Sequence, residues 1–194
     1  MISHKYKFIF VHIPSTGGTS IQEVLTPICD IVPATGYLPA HLTISQIYKQ
    51  FEYDKLKDYF MFGVVRNPWD RMVSRYHYLK KIFPENKFSF EEWLFGEVFR
   101  QNNKQYGSDN IIKKTQQLFY LKHNNKVEAN FIGRFENIQN DFDIITDMIG
   151  IDRITLPKKN STEHKPFEDY YTEELINIVA NLFKDDITYF NYNY

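Results

Sequence analysis

Phe8 to Ile13 is an apolar run broken only by His12, and it passes directly into Pro14-Ser15-Thr16-Gly17-Gly18-Thr19-Ser20. Such a run reads as a strand covered on both faces, and Thr19 to Leu25 reads as a short helix. Two adjacent glycines let the backbone turn tightly and approach an anion with no Cβ in the way. The helix behind them offers N–H groups and the positive end of its dipole. The hydroxyls of Thr16, Thr19 and Ser20 add further donors. Strand, glycine turn and helix together predict a phosphate cradle. The competing reading is a plain strand-to-helix turn with a Thr or Ser cap.

The rest of the chain supplies the layers such a turn belongs to. Phe60 to Val65 reads as a second buried strand, followed by a helix that Asn67 caps and Pro68 opens, with Asp70 placed to reach back to the cap. Trp69, Met72, Val73, Tyr76 and Leu79 recur at helical spacing and predict its buried stripe. Ser89 with Glu92 marks another helix start, Ile111 to Leu121 reads as helical, and Asn130 to Gly133 as a short strand. Asn137 caps a helix ended by Gly150, and Thr172 caps a last one with Leu175, Ile178, Val179, Leu182 and Phe183 inward. Strands alternating with helices predict an α/β domain of three layers, P-loop-like, with a central parallel sheet flanked by helices. The loops leaving the strand C-termini then gather at one edge, where such folds bind ligands.

The 194 residues are read as one domain over 1–194. Hydrophobic residues at 43% and aromatics at 17% exclude a disordered chain. Lys plus Arg (23) nearly balances Asp plus Glu (24), which is not the basic excess of a duplex-DNA binder, so no nucleic-acid partner is expected. Cys29 is the one cysteine, which excludes an internal disulfide and a cysteine-based zinc site. No stretch approaches the 18 apolar residues of a membrane span, and the N-terminal run is too short for a signal peptide, so a cytoplasmic globular protein is expected. The aromatic run Tyr189-Phe190-Asn191-Tyr192-Asn193-Tyr194 is read as packing rather than as a stacking surface for sugars or bases.

The glycine turn is not that of the nucleotide triphosphatases. The pattern G-x-x-x-x-G-K-[ST], aligned on Gly17, needs glycine where His12 stands and lysine where Gly18 stands. The missing lysine argues against transfer of a magnesium-bound γ-phosphate. A second anion grip follows at the same sheet edge. Arg66 ends the Phe60–Val65 strand and can pair a phosphate with its planar fork. Ser74 lies two turns along the next helix, off the Trp69/Met72/Tyr76 stripe, while Arg71 and Arg75 are read as surface charges.

Phe-Val-His-Ile-Pro-Ser-Thr-Gly-Gly-Thr-Ser-Ile at 10–21 resembles the 5′-phosphosulfate-binding loop of carbohydrate-type sulfotransferases. Val-Val-Arg-Asn-Pro-Trp-Asp-Arg-Met-Val-Ser-Arg-Tyr at 64–76 resembles their 3′-phosphate-binding strand and helix, and the 132–137 and 169–172 segments are similar to later family segments. The resemblance implies 3′-phosphoadenosine 5′-phosphosulfate (PAPS) as donor, a hydroxyl acceptor, and no metal. It implies that Ser15, Thr16, Gly17, Gly18, Thr19 and Ser20 face the 5′-phosphate and that Arg66 and Ser74 hold the 3′-phosphate. Asn160 to Lys165 is a candidate for closing over the nucleotide.

One position departs from the family pattern: Ser15 stands where the family loop has lysine. A serine donates one neutral hydrogen bond and no charge, and losing a transition-state donor of this kind typically costs roughly 10²- to 10³-fold in rate. Lys165 is a candidate substitute cation. Transfer also needs a base for the acceptor's proton, and histidine titrates nearest neutrality. Of six histidines, His41, in the loop region after the first helix, is the candidate; related glycan sulfotransferases place theirs in a similar segment. His12 is read as a packed residue, His77 as structural, and His4 and His123 as exposed. The expectation is a sulfotransferase acting on a carbohydrate hydroxyl; the alternatives are a catalytically silent PAPS-binding module and a small-molecule kinase.

Overall fold

The computed structural model describes residues 1–32, 41–85, 87–102, 116–159 and 164–194, apart from the side chains of 97–102. In chain order the elements are β1 (Ile2–Ser3), β2 (Phe8–Val11), α1 (Gly18–Leu25), α2 (Ile44–Phe51), α3 (Tyr53–Leu56), β3 (Phe60–Val65), α4 (Pro68–Ile82) and α5 (Phe90–Asn102). There follow α6 (Gln117–Tyr120), β4 (Lys122–His123), β5 (Lys126–Val127), β6 (Phe131–Arg134), α7 (Ile138–Ile149), α8 (Glu173–Leu182) and α9 (Lys184–Phe190). The chain forms two compact units, one of 1–66 with 120–159 and one of 67–119 with 160–194.

The first unit is built on a four-stranded sheet ordered β1-β2-β3-β6. β2, β3 and β6 are parallel, with Val11 opposite Gly63 and Val65 opposite Arg134, and β1 is an antiparallel edge. Alternation of side chains sorts the two faces. Phe8, Phe10, Phe62 and Val64 form one core with Ile21 and Leu25 of α1 and Phe142, Ile145 and Ile149 of α7. On the other face the Tyr48 hydroxyl of α2 donates to the Met61 sulfur at 3.6 Å, and Gly63 lies against Leu121. These are the expected α/β layers, with helices on both faces of a sheet whose neighbouring inner strands run parallel. The run of β2 ends at Val11, so His12 and Ile13 belong to the loop and not to the strand. α7 ends at Gly150 in the left-handed region, as expected (φ 75°). Asn137 takes the cap position without capping; its side chain donates instead to Asp141.

The second unit packs α4, α5, the turn at Phe167–Tyr170 and α8 around Trp69, Met72, Val73, Tyr76, Phe90, Trp93, Leu94, Leu175, Val179 and Phe183. α4 starts where expected, its Asn67 side chain accepting from the Trp69 N–H. Ser89 and Glu92 exchange the two hydrogen bonds of a capping box. Thr172 caps α8, which stops at Leu182 and is followed by α9. Phe190 and Tyr192 are buried, and Tyr194 packs edge-on against Trp69, Phe167 and Tyr171, so the terminal aromatics are packing residues.

The reading of Arg71 as a surface charge is corrected: the residue is 2% exposed. It faces Asp186, which is itself fully buried and accepts the N–H groups of Gln117 and Leu118 at 2.7 and 2.8 Å. Burial pushes the Asp186 carboxyl above its ordinary range, opposed by those two donors and by the Arg71 charge. Of the helix expected over 111–121, residues 111–115 lie outside the described residues, and within them only Gln117–Tyr120 is helical. Among the described residues no helix is long and apolar enough to cross a membrane.

Candidate functional site

The parallel register brings the carboxyl ends of β2, β3 and β6 to one edge of the first unit, and the residues that follow them are His12, Arg66 and Phe135. The glycine turn after β2 is curled by two left-handed residues on either side of Thr16: Ser15 at φ 63° and Gly17 at φ 79°. Such alternation turns successive N–H groups toward one concavity. Gly17 is the cap position of α1, and no side chain caps that helix. Its first turn therefore lies at the positive end of the helix dipole, with the Ser20 N–H bonded back to the Gly17 carbonyl at 3.1 Å.

Each glycine is held against a named neighbour. A Cβ on Gly17 would lie 2.7 Å from Cδ1 of Ile138 and 2.9 Å from Cδ2 of Phe135, and its positive φ would strain any other residue. A Cβ on Gly18 would overlap the imidazole of His12. The hydroxyls divide their work. Thr16, 1% exposed, donates its proton to the Ile13 carbonyl at 2.9 Å, so what it can offer an anion is its backbone N–H. Ser20 Oγ accepts the Lys159 N–H at 3.3 Å, which leaves its own proton for donation, and Lys159 Nζ pairs with Glu23 of α1 at 3.1 Å.

Arg66, 7% exposed, lies with its guanidinium carbon 3.9 Å above the ring centre of Phe135. Stacking uses the flat face of the guanidinium and leaves the N–H donors in its plane. Ser74 is half-buried on α4 in the second unit, and Lys165 is exposed in that unit. The Asn160–Glu163 part of the proposed closing segment lies outside the described residues.

His41 is exposed, two residues before Thr43, which caps α2. Its Nδ1 lies 3.0 Å from the His12 carbonyl oxygen. A carbonyl only accepts, so Nδ1 carries the hydrogen and Nε2 the lone pair. The His12 and His41 rings meet edge to face at 4.6 Å. Burial, then the neighbouring His41, pushes the His12 imidazole down to about 3, against a Gln22 hydrogen bond that acts the other way. Among the described residues, His12 Nδ1 is buried without a hydrogen-bond partner. Sequence reasoning set His12 aside as packing and missed its carbonyl and its contact with Gly18; it also gave no role to Phe135, although the residue lies in the family-like segment 132–137.

The other histidines have local partners. His4 bonds the Tyr59 hydroxyl at 2.8 Å and His77 that of Tyr170 at 2.8 Å. His123, expected to be exposed, is half-buried between Tyr48 and Tyr53 and lies 3.2 Å from Ser45 Oγ. Among the described residues no group of three or more His, Cys, Asp or Glu side chains is arranged to hold a metal ion.

Comparison with known proteins gives the arrangement a context. A family model described as "Sulfotransferase family" matches residues 1–193. A crystal structure of a sulfotransferase from Alicyclobacillus acidocaldarius superposes with a TM-score of 0.53 at 18% identity, covering 97% of this chain and 96% of that one. The mouse sulfotransferase SULT7A1, crystallised with PAP, gives 0.56 at 17% identity over 96% of this chain and 86% of its own. An uncharacterized protein of Archaeoglobus fulgidus is 34% identical over 93 residues, which are 48% of this chain and 69% of the relative.

Proposed function

The chain belongs to the sulfotransferase family, and we propose that it moves a sulfuryl group from PAPS to the hydroxyl of a carbohydrate in the cytoplasm. The observation that carries this is the convergence, at one strand edge of the first unit, of an uncapped glycine turn, a stacked arginine and a histidine with a defined tautomer. The turn fits a phosphate: Ser15 and Gly17 are both left-handed, and a Cβ at Gly17 or Gly18 would collide with the residues bracing the loop. The family match spans 1–193, so 1–194 is read as one functional domain.

PAPS, when bound, supplies an activated sulfuryl group whose transfer leaves new negative charge on a phosphate oxygen. The backbone N–H groups of Thr16 to Thr19 face that charge, and Ser20, whose N–H goes to the Gly17 carbonyl, contributes its hydroxyl. Arg66 of the first unit holds the 3′-phosphate, the group to which the resemblance also assigns Ser74. His41 accepts the acceptor's proton at Nε2 as the new sulfur–oxygen bond forms, while its Nδ1–H stays on the His12 carbonyl. Ser15 contributes one neutral hydrogen bond at the leaving oxygen. The carbohydrate acceptor follows from the spelling of the two binding motifs, which is that of the carbohydrate branch.

Ser15 also favours a second reading, a module that binds PAPS or its product without turnover. Titration with 3′-phosphoadenosine 5′-phosphate and with ATP·Mg²⁺, beside an assay of labelled sulfate transfer to glycans, separates the readings. Binding with transfer supports the enzyme, binding without transfer supports the module, and preference for ATP·Mg²⁺ supports a kinase.

A further inference from the structure

Phe135 touches both proposed anion grips with one ring. Its edge, Cδ2 and Cε2, comes to 2.9 and 3.1 Å of where a Cβ of Gly17 would stand, and its face lies 3.9 Å below the Arg66 guanidinium carbon. The turn that carries it, Phe135–Asn137, is fixed from both sides. Asp141 accepts the Arg134 N–H at 2.5 Å and the Asn137 side-chain amide at 3.0 Å. Gly133 leaves room for the Asp141 side chain to approach to 3.2 Å of its would-be Cβ. Ile138, next along the chain, supports Gly17 beside the ring.

We propose that Phe135 is a positioning residue that sets the spacing and orientation of the two phosphate grips, and so determines selectivity for a 3′,5′-bisphosphorylated adenosine over a 5′-monophosphate. The inference rests on the reading of Arg66 as the 3′-phosphate ligand. An arginine free to rotate loses side-chain entropy when it clamps a phosphate; one already stacked on a ring fixed by Asp141 has lost it beforehand. Because the same ring abuts Gly17, the arginine's plane is referenced to the 5′-phosphate turn and not only to β3.

The test is the ratio of affinities for 3′-phosphoadenosine 5′-phosphate and AMP, measured by calorimetry on each variant. A ratio taken on one preparation is insensitive to partial loss of folded protein. Phe135→Leu, which keeps bulk beside Gly17 and removes the π face, is expected to lower the ratio by about 2- to 30-fold. Phe135→Tyr should restore it, and Phe135→Leu should change nothing further in an Arg66→Ala background. Equal losses for both nucleotides, or no loss for either, would overturn the proposal and leave Phe135 a packing residue. If Arg66→Ala itself leaves the ratio unchanged, the assignment of Arg66 falls and takes this inference with it. A ratio lowered by Arg66→Ala but not by Phe135→Leu sinks the inference alone.

Discussion

His41 donates its Nδ1–H to the carbonyl oxygen of His12 across 3.0 Å. The hydrogen bond is to the backbone, so it fixes the tautomer of His41 whatever side chain stands at position 12, and the turn proposed to cradle the phosphate also orients the proposed base. His41→Ala is expected to cut sulfate transfer by roughly 10²- to 10⁴-fold while leaving affinity for 3′-phosphoadenosine 5′-phosphate within twofold. Single-turnover transfer beside calorimetry checks both halves; wild-type rates would reassign the base.

The His12 imidazole carries its own signature. In the folded chain it takes a proton only near pH 3, against 6.5 ordinarily. Between those values the unfolded chain binds the extra proton, so this contribution to stability is complete above about pH 6.5 and drains away as the pH falls toward 3. Replacing the ring with one that does not titrate, His12→Phe, should flatten the fall of melting temperature between pH 6.5 and 4 relative to wild type. Parallel melting curves for the two proteins would show that His12 is not responsible.

Arg66→Ala should weaken 3′-phosphoadenosine 5′-phosphate binding by roughly 1.5–3 kcal/mol, the range for hydrogen bonds to charged groups. Arg66→Lys should recover only part of it, since an ammonium neither stacks flat on Phe135 nor presents a planar fork. Calorimetry reads the loss directly, and unchanged affinity removes Arg66 from the site.

Ser15→Lys should raise transfer by roughly 10²- to 10³-fold if charge at the leaving oxygen is what the turn lacks. Ser15 already occupies the left-handed region at φ 63°, so lysine adds little backbone strain beyond what serine bears. A variant no faster than wild type would mean that another cation already serves that oxygen.

The glycine turn, the second strand and the Asn67-Pro68 helix start were legible because each is written locally, in residue types whose backbone preferences act within a few positions. The buried stripe of α4 followed from spacing alone. Arg71 did not, because the partner that makes its burial tolerable, Asp186, lies on α9 and nothing beside Arg71 announces it. β1 is two residues long and takes its pairing from β2, too short to show any period. In the site, residue types singled out the turn proposed as the phosphate cradle, but the place of Phe135 becomes visible only when parallel pairing sets β3 beside β6. The Thr16 hydroxyl was read as a ligand donor because sequence cannot show that the Ile13 carbonyl sits within its reach.

The Asp186 carboxylate satisfies backbone amides 69 and 68 positions earlier in the chain. The second unit is thus tied across a long stretch of sequence: without α9, the Gln117 and Leu118 N–H groups and the Arg71 guanidinium lose the carboxylate that faces them. Deleting α9 therefore removes more than a peripheral helix. It takes the facing carboxylate from a cation in a closed interior, where loss of a single partner costs about 3–5 kcal/mol, enough to endanger the cooperativity of the whole unit.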